Sequence, residues 1–360
     1  IGGIKLMAII DKSSNYFKTV IYSGNGGTQN ITSLDFQPDL VWLKKRNGGT
    51  YHNLANSISG TGKVLYPNAN NAEASKTTIV TAFNSNGFSL GTEGDINGSG
   101  GTFVSWSWKA GGSASSNSNG SITTSISANQ DVGFSIVSYT GNNSNGATIG
   151  HGLGAAPNMV IIKKKSSTAQ WAVGGTNIDS TFNGYMFLDS TGAIATSDNV
   201  FNDTAPSSSV VTLGTTGDSN SNGQTYIAFC FAEKNGFSKM GSYVGNGNSS
   251  TPAFVYTGFK PSLVITKPSS VSDGWTLSDI PRDNNVGGGN GTGARLLANK
   301  TDSESTNTSW AAIHKYSNGF SPQGTDNVTN SSGVTYIYMA FAENPFVTST
   351  GNGSIPSPAR

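Results

Sequence analysis

Thr225-Tyr-Ile-Ala-Phe-Cys-Phe-Ala-Glu233 comes back as Thr335-Tyr-Ile-Tyr-Met-Ala-Phe-Ala-Glu343 and, more diverged, as Thr102-Phe-Val-Ser-Trp-Ser-Trp-Lys-Ala110. A glycine stands shortly before each copy, at Gly223, Gly333 and Gly101. A stretch that returns within one chain is the signature of tandem units. Read with period two, Val104, Trp106 and Trp108 match Ile227, Phe229 and Phe231, and then Ile337, Met339 and Phe341. All are large and apolar, so this face of the strand is expected to point into a core. The other face carries Phe103, Ser105 and Ser107, then Tyr226, Ala228 and Cys230, then Tyr336, Tyr338 and Ala340. It is smaller and mixed, as where a sheet meets solvent or a neighbouring unit. Cys230 aligns with a serine and an alanine and reads as a small filler.

Outward from this strand the chain divides into an N-terminal arm at 1–16, a first unit at 17–110, a linker and edge strand at 111–131, a second unit at 132–235, a third at 236–346 and a tail at 347–360. Each unit opens on an alternating strand that ends in Gly-Asn, at Asn25, Asn142 and Asn246. Each continues with a proline and an apolar run, Pro38 before Leu40–Leu43, Pro157 before Met159–Ile162 and Pro261 before Leu263–Ile265; proline is tolerated there because it sits at a strand start. Ser85-Asn-Gly-Phe88 and Ser317-Asn-Gly-Phe320 echo one another as turns. Gly111–Gly120 has the composition of a flexible linker, Ser121–Ala128 alternates as an edge strand, and the tail reads as irregular. With short strands between turn residues and no sustained helical period, the chain is expected to be all-β: three tandem β-sandwich repeats, jelly-roll-like or lectin-like in layout.

The composition narrows the function. Charged residues make up 11% of the 360, against roughly 25% in ordinary globular chains, so Asn, Ser, Thr and 47 glycines must supply the polar surface. A net charge of +1 gives no basic field for nucleic acid or an anionic membrane. The basic runs Lys44-Lys45-Arg46 and Lys163-Lys164-Lys165 follow apolar strands and read as strand-end solubilisers. One cysteine gives no internal disulfide. No apolar run approaches the ~20 residues of a membrane span, and Ile4–Ile10, interrupted by Lys5, lacks the form of a leader peptide. Leu6, Ile9 and Ile10 in the arm cannot bury themselves; they are expected to dock on the first unit or on another subunit.

Tyr22-Ser-Gly-Asn-Gly, Phe36-Gln-Pro-Asp-Leu-Val-Trp-Leu-Lys-Lys, Glu73 after an Asn-rich turn and Asn86-Gly-Phe-Ser-Leu-Gly together resemble an uncharacterised repeat domain of structural proteins in tailed bacteriophages, marine and cyanobacterial ones especially. The opening Met7-Ala-Ile-Ile-Asp-Lys-Ser-Ser-Asn-Tyr-Phe17 is similar to the start of such proteins. The resemblance covers residues 7–110 best. It implies localisation in a virion, as a tail fibre, appendage or capsid decoration, with other virion proteins or further copies of the chain as partners and host surface glycan as a further one. It brings no catalytic residues with it.

The remaining chemistry is sparse. Asp218-Ser-Asn-Ser-Asn-Gly223 fits the first half of a calcium loop, making Asp218, Asn220 and Asn222 the metal candidates. The Glu that should close the shell is Phe229, and a polar hairpin turn explains the same letters. Glu233 and Glu343 are repeat equivalents, so they do not form the opposed pair that glycoside hydrolysis needs. Glu73, Glu93 and Asp95 are loop acids without a motif. His52, His151 and His314 occupy different places in their units. No nucleophile elbow or phosphate loop is present, and no cofactor is expected. The chain therefore reads as non-enzymatic. Glycan binding needs exposed aromatic faces, for which Tyr51, Tyr66, Trp171 and Trp275 are the candidates; the competing reading of each is a core aromatic.

Overall fold

A computed structural model describes Ile10 and residues 12–283, 293–306, 312–345, 347–349 and 354–356. The chain is all-β, with two single-turn α-helices, Gly94–Asn97 and Asp198–Phe201, and one short 3-10 turn, Ser13–Asn15. Four strands in the order opening, repeated, proline and fourth form the same antiparallel sheet three times. In the first segment these are Phe17–Ser23, Thr102–Trp108, Leu40–Lys45 and Asn53–Asn56. The second gives Phe134–Thr140, Thr225–Phe231, Met159–Lys164 and Ala172–Gly175; the third gives Ser238–Val244, Thr335–Pro345, Phe259–Pro268 and Thr276–Asp279. The register is also shared: Trp106 lies between Thr19 and Trp42, Phe229 between Ile136 and Ile161, Met339 between Met240 and Ile265.

A smaller sheet accompanies each large one. Gln29–Ile31, Gly87–Leu90 and Val80–Asn84 form it in the first segment, Ala147–Gly150 and Val210–Leu213 in the second, Val255–Tyr256, Gly319–Pro322 and Ile313–Tyr316 in the third. A buried apolar cluster belongs to each of these pairs of sheets.

The large face of the repeated strand points into a core as expected, but the smaller face is buried as well rather than set against solvent or a neighbouring unit. The smaller face, with Tyr226, Ala228 and Cys230 or Tyr336, Tyr338 and Ala340, fills the core within its own segment. The large apolar face turns away from that core. Val104, Trp106, Trp108, Ile227, Phe229, Phe231, Ile337, Met339 and Phe341 all join one central cluster drawn from all three segments. Phe341 shows the convergence, with ring centroids 5.5 Å from Trp108, 5.8 Å from Phe231 and 5.2 Å from Phe17. Burying such rings contributes roughly 1.5–3 kcal/mol each, so the segments are held together by the larger side chains and each is filled by the smaller ones.

One tyrosine-asparagine clip closes the far end of each segment. Tyr22, Tyr139 and Tyr243 stack on Phe103, Tyr226 and Tyr336 at 5.3, 5.1 and 4.9 Å. Their hydroxyls donate to the carbonyls of Ile96, Ser219 and Thr329. The next residues, Asn97, Asn220 and Asn330, accept the backbone N–H of Asn25, Asn142 and Asn246. These are the asparagines of the three Gly-Asn turns.

Two peripheral expectations are corrected. The Gly111–Gly120 stretch carries the strand Ser115–Asn117, which pairs outside Thr124–Asn129 and is itself the sheet edge. Its Ser and Asn backbone groups hydrogen-bond as readily as any others, so composition alone did not make it flexible. The tail pairs Val347–Ser349 with Ser354–Pro356 as a small ladder.

Candidate functional site

The polar and aromatic residues singled out in the sequence converge on the seams between segments. Before each fourth strand stands one residue of matching place: His52, Trp171 or Trp275. Each backbone N–H is accepted by an Asn or Asp side chain of its own segment, Asn68, Asp189 and Asn299, at 2.8, 3.0 and 2.9 Å. Each ring reaches across a seam to a carbonyl two residues before that acceptor in the next segment. Trp171 Nε1 donates to Tyr66 O at 2.9 Å, Trp275 Nε1 to Phe187 O at 2.9 Å, and His52 Nε2 lies 3.1 Å from Leu297 O. Because Trp42 Nε1 donates to His52 Nδ1, the imidazole proton is on Nε2 and donates to Leu297. The second segment thus reaches the first, the third the second, and the first the third. The circuit closes.

Two further sets of contacts run round the same circuit. Lys44, Lys163 and Lys267, all in proline strands, are fully buried. Their ammonium groups donate to Thr301 O, Asn70 O and Thr191 O of the adjoining segment at 3.0, 2.9 and 3.2 Å. Burial pushes each amine down to about 8. Backbone bonds do the same: Glu73 N to Lys165 O, Ile194 N to Ser269 O, and Glu304 N to Arg46 O. The basic runs are therefore not solubilisers. A lysine at the end of an apolar strand has a stem long enough to lie in the core while its head meets carbonyls, and the adjoining segment supplies those carbonyls.

The seams differ where side chains vary. Between the third and first segments lies a buried ionic network. Arg282 Nε is 2.6 Å from Asp279 Oδ2, and its Nη1 is 3.1 Å from Glu304 Oε2. Arg46 meets Glu304 at 2.7 Å. The Arg282 guanidinium lies over the Trp106 ring, whose Nε1 donates to Asp279 at 2.9 Å. Where the third segment has Asp279, Arg282 and Glu304, the second has Gly175, Ile178 and Ile194 and the first has Asn56, Ser59 and Glu73. Ile178 and Ile194 pack on the central core; Ser59 Oγ donates to Glu73. At the centre, Trp42, Trp108, Ile161, Phe231, Ile265 and Phe341 help to line an apolar cavity of about 30 Å³, room for about one small group and no more.

The glycan candidates fare unequally. Trp171 is 0% and Trp275 2% exposed, and Tyr66 is buried, so none of the three presents a face to a sugar. The indole N–H groups and apolar bodies of Trp171 and Trp275 are what a dry seam requires. Only Tyr51 is exposed, its ring 5.2 Å from Tyr66. The aromatics that do face solvent, Phe254 and Tyr256, escaped the sequence reading because one precedes and the other ends a two-residue strand, too short for alternation to mark a face.

The metal candidates form a turn. Asn220 is fully buried and donates to Gly214 O and Ser144 O; Asp218 accepts Gln170 N–H; Asn222 is exposed. The amide that the calcium reading needs as a ligand holds its own backbone. Among the described residues, no three or more His, Cys, Asp or Glu side chains gather in a group that could hold a metal ion. Glu233 accepts Met240 N–H where the second segment passes into the third, and Glu343 pairs with Lys260 within the third. Cys230 is buried, which pushes its thiol up to about 12. Of the arm, Ile10 is buried in the central core, whereas Leu6 and Ile9 lie outside the described residues.

The family model of a domain of unknown function, DUF7483, matches residues 12–345 as a single domain. No curated protein and no solved structure matches the chain significantly. No helix among the described residues is long and apolar enough to cross a membrane.

Proposed function

The chain belongs to the DUF7483 family, and we propose that it acts there as a non-enzymatic structural protein of a virion, a component of a tail fibre or appendage that assembles with other virion proteins. In this reading the chain is three tandem β-sandwich repeats, 17–110, 132–235 and 236–346, arranged round a threefold pseudo-axis. The observation that carries it is the closed circuit of seam contacts. Trp171, Trp275, His52 and the three strand lysines, which would be the natural material of a reactive or binding site, all hold one segment to the next. The acids that a hydrolase would use are tied to neighbours one by one. A body built this way offers rigidity without disulfides, which suits a part that must keep its shape on a particle. The motifs over residues 7–110 that resemble phage structural repeats point the same way.

The test is made on particles. Purified virions carrying the gene are analysed by mass spectrometry and imaged by cryo-EM, with the chain traced in the map. The chain is expected at fixed stoichiometry in the tail region. Density over the capsid makes it a decoration protein instead, and absence from washed particles removes the structural reading altogether.

A further inference from the structure

The small outer sheet of the third segment differs from its two counterparts. Tyr256 and Tyr316 both pair with Gly319, from opposite sides, so the two tyrosines flank a glycine on one row. His314 pairs with Ser321 on the adjacent row. Phe254 leans over the gap between the rows: a Cβ at Gly319 would lie 2.8 Å from its ring, and the ring stands edge-on to Tyr316 at 5.9 Å. Phe254 is 52% and Tyr256 61% exposed. At the matching places the first segment has Asn30, Thr32, Ala82 and Asn84; the second, whose small sheet has two strands, carries Gly150 and Val210 on that row and Thr148 and Thr212 on the next. Of the three small sheets, the third alone carries aromatic rings at these places.

We propose that this aromatic face, Phe254, Tyr256 and Tyr316 with His314 at its rim, is a binding site for a neutral glycan chain, whose pyranose rings stack on the tyrosines across the Gly319 row. The apolar C–H face of a sugar fits an aromatic face, and hydroxyl and imidazole groups at the rim take its hydroxyls. Neighbouring strands stand ~4.8 Å apart, so two rings separated by one intervening strand are ~10 Å from one another, a spacing that two successive sugars span. The face residues carry no carboxylate or ammonium; Lys315, between His314 and Tyr316, turns inward and is fully buried near Asp283. A neutral chain therefore meets no charge that it must desolvate, whereas an acidic polysaccharide or a nucleic acid would find no cation. A second protein copy fits less well. Two rings of ~150–250 Å² each, half exposed or a little more, with the half-buried Tyr316 beside them, offer no more than roughly 300 Å², against the ~800 Å² per partner of a specific protein interface.

The test uses the full chain. Native affinity electrophoresis is run in gels containing dextran, galactomannan or xyloglucan, with dextran sulfate as the charged control. The wild-type protein is expected to be retarded by at least one neutral polymer, with the apparent affinity at least tenfold lower in the Phe254→Ala/Tyr256→Ala double variant. Tyr256→Gln alone, which keeps a polar residue of similar reach, is expected to lose most of that effect. Ile21→Ala, an exposed apolar site on another sheet, should leave retardation unchanged, and thermal melts should show all variants folded. No retardation by any neutral polymer, retention by dextran sulfate alone, or equal retardation of the double variant overturns the proposal. So does a dimer in ultracentrifugation that the double variant dissolves, since the face would then join two copies.

Discussion

The seam between the third and first segments and the seam between the second and third solve one geometric problem with opposite chemistry. The backbone bond and the buried lysine are common to both. At the variable positions one places Asp279, Arg282 and Glu304 and the other Gly175, Ile178 and Ile194. The apolar seam joins segments that the chain already links. The ionic seam must bring together two segments far apart in sequence. Charges in a fixed fork tolerate only one geometry, so the network selects the closing register, while isoleucines merely fill space.

The comparison can be broken most forcefully at Asp279. Asp279→Ala leaves the Arg282 guanidinium buried with its nearest anion gone and the Trp106 N–H without its acceptor; a loss of about 3–5 kcal/mol in denaturant unfolding is expected. Replacing the set, Asp279→Gly with Arg282→Ile and Glu304→Ile, should cost far less than the single change, because the fully buried charges leave together and Arg46, which loses Glu304, is partly exposed to water. A triple variant weaker than Asp279→Ala would show that the ionic seam is worth more than its geometry. Trp275→Phe sharpens the other side. It keeps most of the apolar body but leaves Phe187 O with only the long bond from Ser190 N–H, and about 1–2 kcal/mol is expected from chemical denaturation. Ser59→Ala, at the half-buried hydrogen-bonded seam, should cost about 1 kcal/mol or less by the same measurement.

A pH titration probes what the seams share. Lys44, Lys163 and Lys267 are held down to about 8 by burial, whereas the unfolded chain keeps those protons up to the ordinary lysine range of ~10.4. Above pH 8 the unfolded state then binds more protons than the folded one, so stability rises with pH. Near pH 10 the trend is opposed by buried tyrosines such as Tyr139 and Tyr243, whose hydroxyls burial keeps protonated. Denaturation midpoints are expected to climb between pH 8 and 10. Lys163→Met should flatten the climb; a slope untouched by that change would mean that the amines are not its source.

The repeated strand was legible because its large face is continuous over three copies, and with it the all-β class. What that face packs on was not, because period two separates two faces without saying which is inside a sandwich and which lies between sandwiches. The seam residues were hidden by their diversity. His52, Trp171 and Trp275 share a place but not a residue type, and their kinship shows only in the fold, through the ring N–H that each gives to the next segment and through Asn68, Asp189 and Asn299, which accept their backbone N–H groups. Lys44 and Lys163 misled for the opposite reason: a charged letter after an apolar run usually marks the surface, and here the carbonyls that shelter it come from a distant part of the chain.

The closed circuit of seams also constrains how such a gene can change. An open array gains or loses a copy by duplication or deletion and keeps every remaining junction. Here a deleted copy would leave two mismatched edges, and an added one would push Trp108, Phe231 and Phe341 apart and open a hole where they now meet. If the three segments are repeats of one unit, copy number is held by this central cluster, and the room to vary lies in the outer sheets, where the third segment carries Phe254, Tyr256 and Tyr316.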